Sequence, residues 1–247
     1  MIEGHRPIRD AYRDESVASN YVQTRFMEPL GALLHRGQAR ALSATIDRLV
    51  PTRVLEVAPG PARLSLEAAE RLRGELVLLD ASYEMLALAR KRVEANSLDR
   101  CKCVQGDAFD LPFPERFDLV YSFRLIRHFG LEDRLRLYEQ FRRVLRPNGV
   151  LMFDAVNETV SGPLRRADPS GLLHFDALLN REGITSELAR TGFRVESLKG
   201  LQHRYPLLHK VQVLVAPRAR WLATSLMRLL DSTGGEPLEW VVTCRRV

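Results

Sequence analysis

Cysteine is scarce in this chain. The three thiols, Cys101, Cys103 and Cys244, are odd in number and form no Cys-x-x-Cys pair, which argues against a disulfide framework or a cysteine-built zinc site. Cys101 and Cys103 have the spacing of neighbours on one face of a strand, so they read as buried structural thiols. No window approaches the roughly 20 uninterrupted apolar residues that a membrane-spanning helix needs. The opening Met1-Ile-Glu-Gly-His-Arg carries no apolar signal-peptide core, so the expected compartment is the cytoplasm. Lysine is nearly absent: of 37 basic residues only Lys91, Lys102, Lys199 and Lys210 are lysine, leaving 33 arginines and a net charge of +6. So lopsided an excess reads as codon bias, and the arginines are scattered among acids instead of forming the runs of a phosphate-binding face. Internal repeats, low-complexity tracts and metal-ligating clusters are lacking too.

What remains is ordinary for a globular α/β protein. With 247 residues, 45% hydrophobic and 28% charged, the chain is long enough for one domain with a full core. The stretch Thr52 to Asp80 organises it. Val54, Leu55 and Val57 suit a strand buried on both faces, Ala58 to Ala62 a small-residue turn, and Leu64, Leu66, Ala68, Ala69 and Leu72 a helix packed on that strand. Leu76 to Leu79 is a second apolar run, and it ends on Asp80. In an open parallel sheet, ligands sit beyond the carboxyl ends of the strands, where small turn residues admit them to the backbone and a helix N-terminus lies near. A strand-ending acid can accept two hydrogen bonds from a ribose diol.

The turn reads Glu56-Val57-Ala58-Pro59-Gly60-Pro61-Ala62, without the full Gly-x-Gly-x-x-Gly of dinucleotide sites. It resembles the first motif of the class I S-adenosylmethionine-dependent methyltransferases, acid-x-Gly-x-Gly-x-Gly, with alanine at the outer two glycine positions. Alanine there is expected to exclude a backbone of positive φ. The resemblance implies that Glu56, Ala58, Pro59 and Gly60 line the cofactor S-adenosyl-L-methionine. It extends to Asp80-Ala81-Ser82-Tyr83-Glu84-Met85-Leu86, where Asp80 would hold the ribose hydroxyls, Ala81 would adjoin them and Met85 would lie against the adenine. Ser82 reads independently as a helix N-cap. A strand over Cys101 to Gln105 leads into Gly106-Asp107-Ala108, which the resemblance places at the adenine; for Asp107 an Asx-turn is the simpler alternative.

Phe117 to Ser122 reads as the fourth strand. The following Phe123-Arg124-Leu125-Ile126-Arg127-His128 occupies the loop where members of this family usually recognise substrate, with Ser122 beside the cofactor. Neither the Asn/Asp-Pro-Pro-Tyr/Phe of base-amine methylating members nor a nucleophilic cysteine stands here, which argues against a nucleic-acid substrate. His128 is placed to accept a proton during transfer or to cap a helix. Arg124 and Arg127, if they face the cleft, suit an anionic acceptor, with solvated surface arginine as the default. Near the N-terminus, Tyr21 and Arg25 match the tyrosine and basic residue that small-molecule members bring to the methionine end of the cofactor; Asp14 to Arg25 and Leu30 to Leu49 read as helices.

Leu131 to Leu145 reads as a helix stopped at Arg146-Pro147-Asn148-Gly149, followed by a strand over Val150 to Asp154. Val156 to Ser170, with Gly162, Pro163 and Pro169, reads as a loop at the cleft mouth, and His174 to Asp176 as the start of a helix ending near Thr191. The final two strands, from Gly192 and from Leu238, are expected to form an antiparallel hairpin interrupted by helices over Leu207 to Val215 and Arg218 to Leu230. Three roles compete for this insertion: a lid, a homodimer surface, or a membrane-interface helix reaching a lipidic substrate. The sum is a doubly wound, Rossmann-like α/β domain with a seven-stranded, mostly parallel sheet. Residues 1–50 form a helical cap, 51–202 the core sheet, 203–237 the insertion and 238–247 the last strand. The implied activity is methyl transfer to O, N or C of a small-molecule or lipid-like acceptor. An RNA methyltransferase and a non-catalytic cofactor-binding partner protein are the alternatives.

Overall fold

The apolar run at Val54 becomes a central strand because it has a neighbour on each side and cover on each face. In the computed structural model, which describes residues 26–167 and 176–247, β1 (Arg53–Val57) pairs in parallel with β2 (Glu75–Asp80) and with β4 (Phe117–Ser122). The remaining strands are β3 (Cys101–Gln105), β5 (Leu145–Asn157), β6 (Leu178–Leu179), β7 (Phe193–His203) and β8 (Pro237–Arg246). Their order is β3-β2-β1-β4-β5-β8-β7, with β6 paired to β5 off that path. All pairings are parallel except those of β8, which runs antiparallel to both β5 and β7. The expected seven-stranded sheet therefore gains an eighth, two-residue strand, Leu178–Leu179, against the end of β5.

Strand alternation sorts the side chains into two cores. Leu55, Val57, Val120, Leu151 and Phe153 pack under α4 (Leu131–Val144) and α6 (Arg181–Arg190). Val54, Leu78, Leu119, Tyr121 and Met152 pack on the other face, under α1 (Pro29–Leu49), α2 (Ser65–Arg71) and α3 (Tyr83–Ala95). Cys101 and Cys103 border this second core on one strand face but are half-buried; Cys244 is fully buried in the first. Successive strands β1, β2 and β3 step one way across the sheet, and the chain then returns to lay β4 on the far side of β1. That reversal opens a crevice beyond the carboxyl ends of β1 and β4, the place where open α/β sheets bind ligands.

Two segments depart from expectation. The polar stretch after β5 is not a loop: β5 continues to Asn157, whose Oδ1 accepts from Thr159 N at 3.0 Å, and α5 (Glu158–Ala167) follows with Pro163 inside it. Next, α6 starts at Arg181 behind the N-cap Asn180, whose side chain accepts from Gly183 N at 2.8 Å; the start expected at His174 lies outside the described residues. The leading helix over residues 14–25, with Tyr21 and Arg25, lies outside the described residues.

The insertion forms α7 (Tyr205–Leu214) and α8 (Arg220–Ser232). Both rest on α1, where Leu33, Leu208 and Met227 make a small separate core with Leu30, Val211 and Leu230 beside it. The apolar residues of α8 are divided: Ala223 and Met227 are buried while Trp221 and Leu229 face outward.

Candidate functional site

The turn after β1 takes a left-handed backbone at all three positions where the motif calls for glycine. Gly60 has φ 55°, and Ala58 and Ala62 both have φ 57°. The expectation that alanine excludes positive φ is thus overturned. A left-handed L-residue costs roughly 1–2 kcal/mol, and the surrounding bonds hold the turn against that cost. Ala58 N donates to Leu79 O at 2.8 Å, Ala62 N to Pro59 O at 3.2 Å, and Gly60 N to Asp80 Oδ2 at 3.0 Å. Arg63, just past the turn, ties it to α1 through Gln38 Oε1 at 2.7 Å and stands over the Phe26 ring.

Asp80 is the other half of this clasp. Its Oδ1 accepts from Ser82 N at 3.0 Å while Ser82 Oγ caps α3 by accepting from Met85 N at 3.2 Å. Burial raises the carboxyl's pKa, against the opposing amides of Ser82, Gly60 and Ala81. The two carboxylate oxygens offer about four lone-pair sites, so beyond these amides Asp80 keeps capacity for a ligand donor. A Cβ placed on Gly60 would meet only Met85 Sδ, at 3.9 Å, so there is room above the turn. Met85 itself is buried beneath it. Backbone amides, a two-oxygen acceptor and open space at a switch point fit an adenosine-type ligand.

Glu56 faces the opposite way, into the sheet's second core. It is buried, and its Oε2 accepts from Ser65 Oγ at 2.5 Å and Tyr121 OH at 2.8 Å. Burial lifts its pKa from 4.5 to about 7 despite those bonds. Burial, with Glu56 alongside, also pushes the Tyr121 phenol well up. Ser122 is fully buried and donates to Val57 O at 2.7 Å, locking the ends of β1 and β4 together. Both residues are placed to hold the crevice in shape.

Across the crevice, Asp107 is exposed and makes the Asx-turn: its Oδ1 accepts from Phe109 N at 2.9 Å. Gly106 packs closely, since a Cβ there would come within 2.8 Å of Leu79 Cδ1 and displace the end of that side chain. Ala81 and Ala108 are half-buried.

On the β4–β5–β8 side the sequence expectation needs correction. Arg127 is no surface or freely cleft-facing arginine: it is buried, and its Nη2 lies 2.6 Å from Asp154 Oδ2 and 2.7 Å from Glu239 Oε1. Burial would lower its pKa, but Glu239 and Asp154 outweigh that and raise it. Arg124, with φ 67°, donates its backbone N–H to Asp154 Oδ1 at 2.5 Å. His128 Nδ1 lies 3.1 Å from Asp176 Oδ1, and Arg165 Nη2 2.8 Å from Asp176 Oδ2. Burial would raise the Asp176 carboxyl, yet His128, Arg127 and Arg165 hold it well below the usual range. Arg124 Nε, Arg127 Nε and Glu239 Oε2 are buried without hydrogen-bond partners among the described residues. Asp154, Asp176 and Glu239 were not singled out in the sequence. The one available signal was Asp154, an acid after four apolar residues at a strand end.

With this geometry in view, comparison with known proteins is decisive on the fold. Residues 54–149 match the family model described as "Methyltransferase domain". Over these residues the chain is similar to methyltransferase domains, and its fold is that of class I S-adenosylmethionine-dependent methyltransferases. A demethylmenaquinone methyltransferase of Thermus thermophilus is 35% identical over 119 residues, covering 47% of this chain and 52% of that protein. The ubiquinone/menaquinone biosynthesis C-methyltransferase UbiE of Dinoroseobacter shibae is 32% identical over 139 residues, 54% of each chain. This chain therefore spans about half the length of the curated relatives it matches. Among solved structures, magnesium protoporphyrin IX methyltransferase from Synechocystis, with bound S-adenosylhomocysteine, superposes with a TM-score of 0.71. That match is 11% identical and covers 97% of this chain and 98% of that one. The [4+2]-cyclase SpnF superposes at 0.67 with 18% identity, covering 97% and 94%. A cyclase on the same architecture shows that fold does not dictate reaction. The family's cofactor is S-adenosylmethionine, and the turn at Gly60 with Asp80 fits it.

Proposed function

We propose that this protein transfers the methyl group of S-adenosylmethionine to a small, oxygen-bearing, lipid-like acceptor of the quinol type. The observation that carries the cofactor half is the left-handed turn at Ala58, Gly60 and Ala62 clasped to Asp80. The cofactor supplies an already activated methyl, so the protein's part is to align donor and acceptor and exclude water. In this reading Asp80 holds the ribose hydroxyls, Asp107 and Ala108 border the adenine, and Met85 supports the turn from below.

For the acceptor, the support is the cluster of unpaired buried polar atoms beyond β4, β5 and β8. Arg124 Nε and Arg127 Nε are donors and Glu239 Oε2 an acceptor, and a ligand with hydroxyl or carbonyl oxygens would satisfy them. Methylation at a ring carbon releases that carbon's proton, and an imidazole is suited to take a proton near neutral pH. His128, with Asp176 at its Nδ1, is the residue we place in that role. The names of the two sequence relatives make a demethylmenaquinone-type hydroquinone the first acceptor to assay. The test is transfer of labelled methyl to that hydroquinone, with simple catechols and an RNA pool in parallel. Label entering the hydroquinone supports the proposal; label entering RNA alone, or no acceptor at all, contradicts it.

A further inference from the structure

Between Glu196 and Asp231 the chain contains no aspartate or glutamate, although it holds 31 acids in 247 residues. The same stretch carries Lys199, Arg204, Lys210, Arg218, Arg220 and Arg228. Lys210, Arg218, Arg220 and Arg228 are exposed on α7, α8 and the link between them. These two helices also concentrate the exposed apolar side chains. Trp221 is 75% exposed, Leu229 64%, Leu214 62% and Val213 54%, with Leu207 and Leu222 exposed beside them. Elsewhere among the described residues such side chains stand singly, at Val50, Tyr83, Leu131 and Val247; Met27 belongs to the patch, since its carbonyl accepts from Arg220.

The helical spacing gives the patch its direction. Leu207 and Leu214 are two turns apart on α7, and Trp221 and Leu229 are about two turns apart on α8. On α8 the opposite side, at Ala223 and Met227, is buried; on α7 the neighbouring Leu208 is buried, and Leu208 and Met227 pack against Leu33 of α1 with Val211 beside them. The outward lines therefore lie on the side of the helical pair turned away from the protein. Apolar residues led by a tryptophan, flanked by cations that outnumber the neighbouring Glu28, match the zone where lipid headgroups meet acyl chains.

We propose that α7 and α8 dock the protein on an anionic lipid bilayer, with Trp221, Leu214 and Leu229 entering the headgroup boundary and the flanking Lys210 and Arg218 meeting lipid phosphates. A second copy of the chain is a poor occupant of the same face, because two surfaces on which Lys210, Arg218, Arg220 and Arg228 outnumber Glu28 would oppose like charges. A nucleic acid would leave the apolar lines without a counterpart. Docking would bring the acceptor side of the sheet toward the bilayer: Tyr205 at the start of α7 is half-buried near Glu239, the partner of Arg127. The inference holds whatever the acceptor proves to be.

The test is sedimentation of the full chain with sucrose-loaded vesicles of phosphatidylglycerol and phosphatidylcholine against vesicles of phosphatidylcholine alone, with tryptophan emission read in parallel. The chain has two tryptophans and Trp240 is buried, so emission changes report Trp221. The expected result is binding to the anionic vesicles, weakened by raised salt, with a blue shift. Two variants keep this falsifiable: Trp221→Ser with Leu229→Ser, and Lys210→Glu with Arg218→Glu. All four positions are exposed, so both should melt as wild type does, and each should weaken partition by at least about tenfold. Equal binding to neutral vesicles, no binding to either, variants that bind as wild type, or a dimer in lipid-free solution that hides Trp221 from acrylamide would each overturn the proposal.

Discussion

At the residue scale, the informative positions are those where a side chain sits against its own preference. Ala58 and Ala62 keep a left-handed backbone that glycine would adopt without steric cost. Replacing either with glycine is therefore expected to stabilise the protein by about 1 kcal/mol, read as a higher urea midpoint with unchanged slope; a lower midpoint would show that the methyl groups contribute packing worth more than the strain. Glu56 is the second such position. Its folded pKa of about 7 lies above its ordinary 4.5, so the native state holds a proton that the unfolded chain has lost. The stability this lends is present below about pH 4.5 and disappears as pH rises through about 7. Glu56→Gln, which keeps an acceptor for Ser65 and Tyr121, should remove that component. The stability difference between wild type and variant should then shift across this window by up to about 1.4 kcal/mol per pH unit, and a difference that stays constant would contradict the buried, protonated carboxyl.

At the scale of elements, the Arg127, Asp154 and Glu239 cluster joins the loop after β4 to β5 and β8. Truncating one member of a buried charge cluster leaves the others uncompensated, at a cost of about 3–5 kcal/mol. Arg127→Ala is thus expected to lower the denaturation midpoint strongly, whereas a role confined to acceptor binding would raise KM in a protein of normal stability. These elements also show what the chain discloses unaided. The unit from Thr52 to Asp80 was legible because strand, turn, helix, strand and acid follow one another within thirty residues, each with its own local signal. Arg127 was not, because its partners lie far along the chain and nothing local marks an arginine for burial. The stretch Glu158–Ala167 reads as loop through Gly162 and Pro163, but Asn157 bonds the Thr159 amide and overrides that signal. The two-residue β6 is set by pairing with β5, which no local pattern reveals.

At the scale of the whole molecule, a reversal of strand order opens a crevice, and both halves of the proposed reaction converge on it: the turn and Asp80 clasp over β1 and β2, and a buried charged cluster with unpaired polar atoms over β4, β5 and β8. If His128 takes the acceptor's proton, His128→Asn should lower kcat by at least about a hundredfold while leaving cofactor affinity intact; equal turnover would remove it from the reaction. How closely the acceptor side approaches a lipid surface depends on α7 and α8, which sequence placed as helices but could not orient, because both of α8's long sides carry leucine. The account rests most directly on the clasp, and calorimetric titration of the full chain with S-adenosylhomocysteine tests it. One-to-one binding, weakened at least about tenfold in Asp80→Ala by loss of charge-assisted hydrogen bonds, is the predicted result. No heat at millimolar ligand, or an Asp80→Ala variant that binds as wild type does, would contradict it.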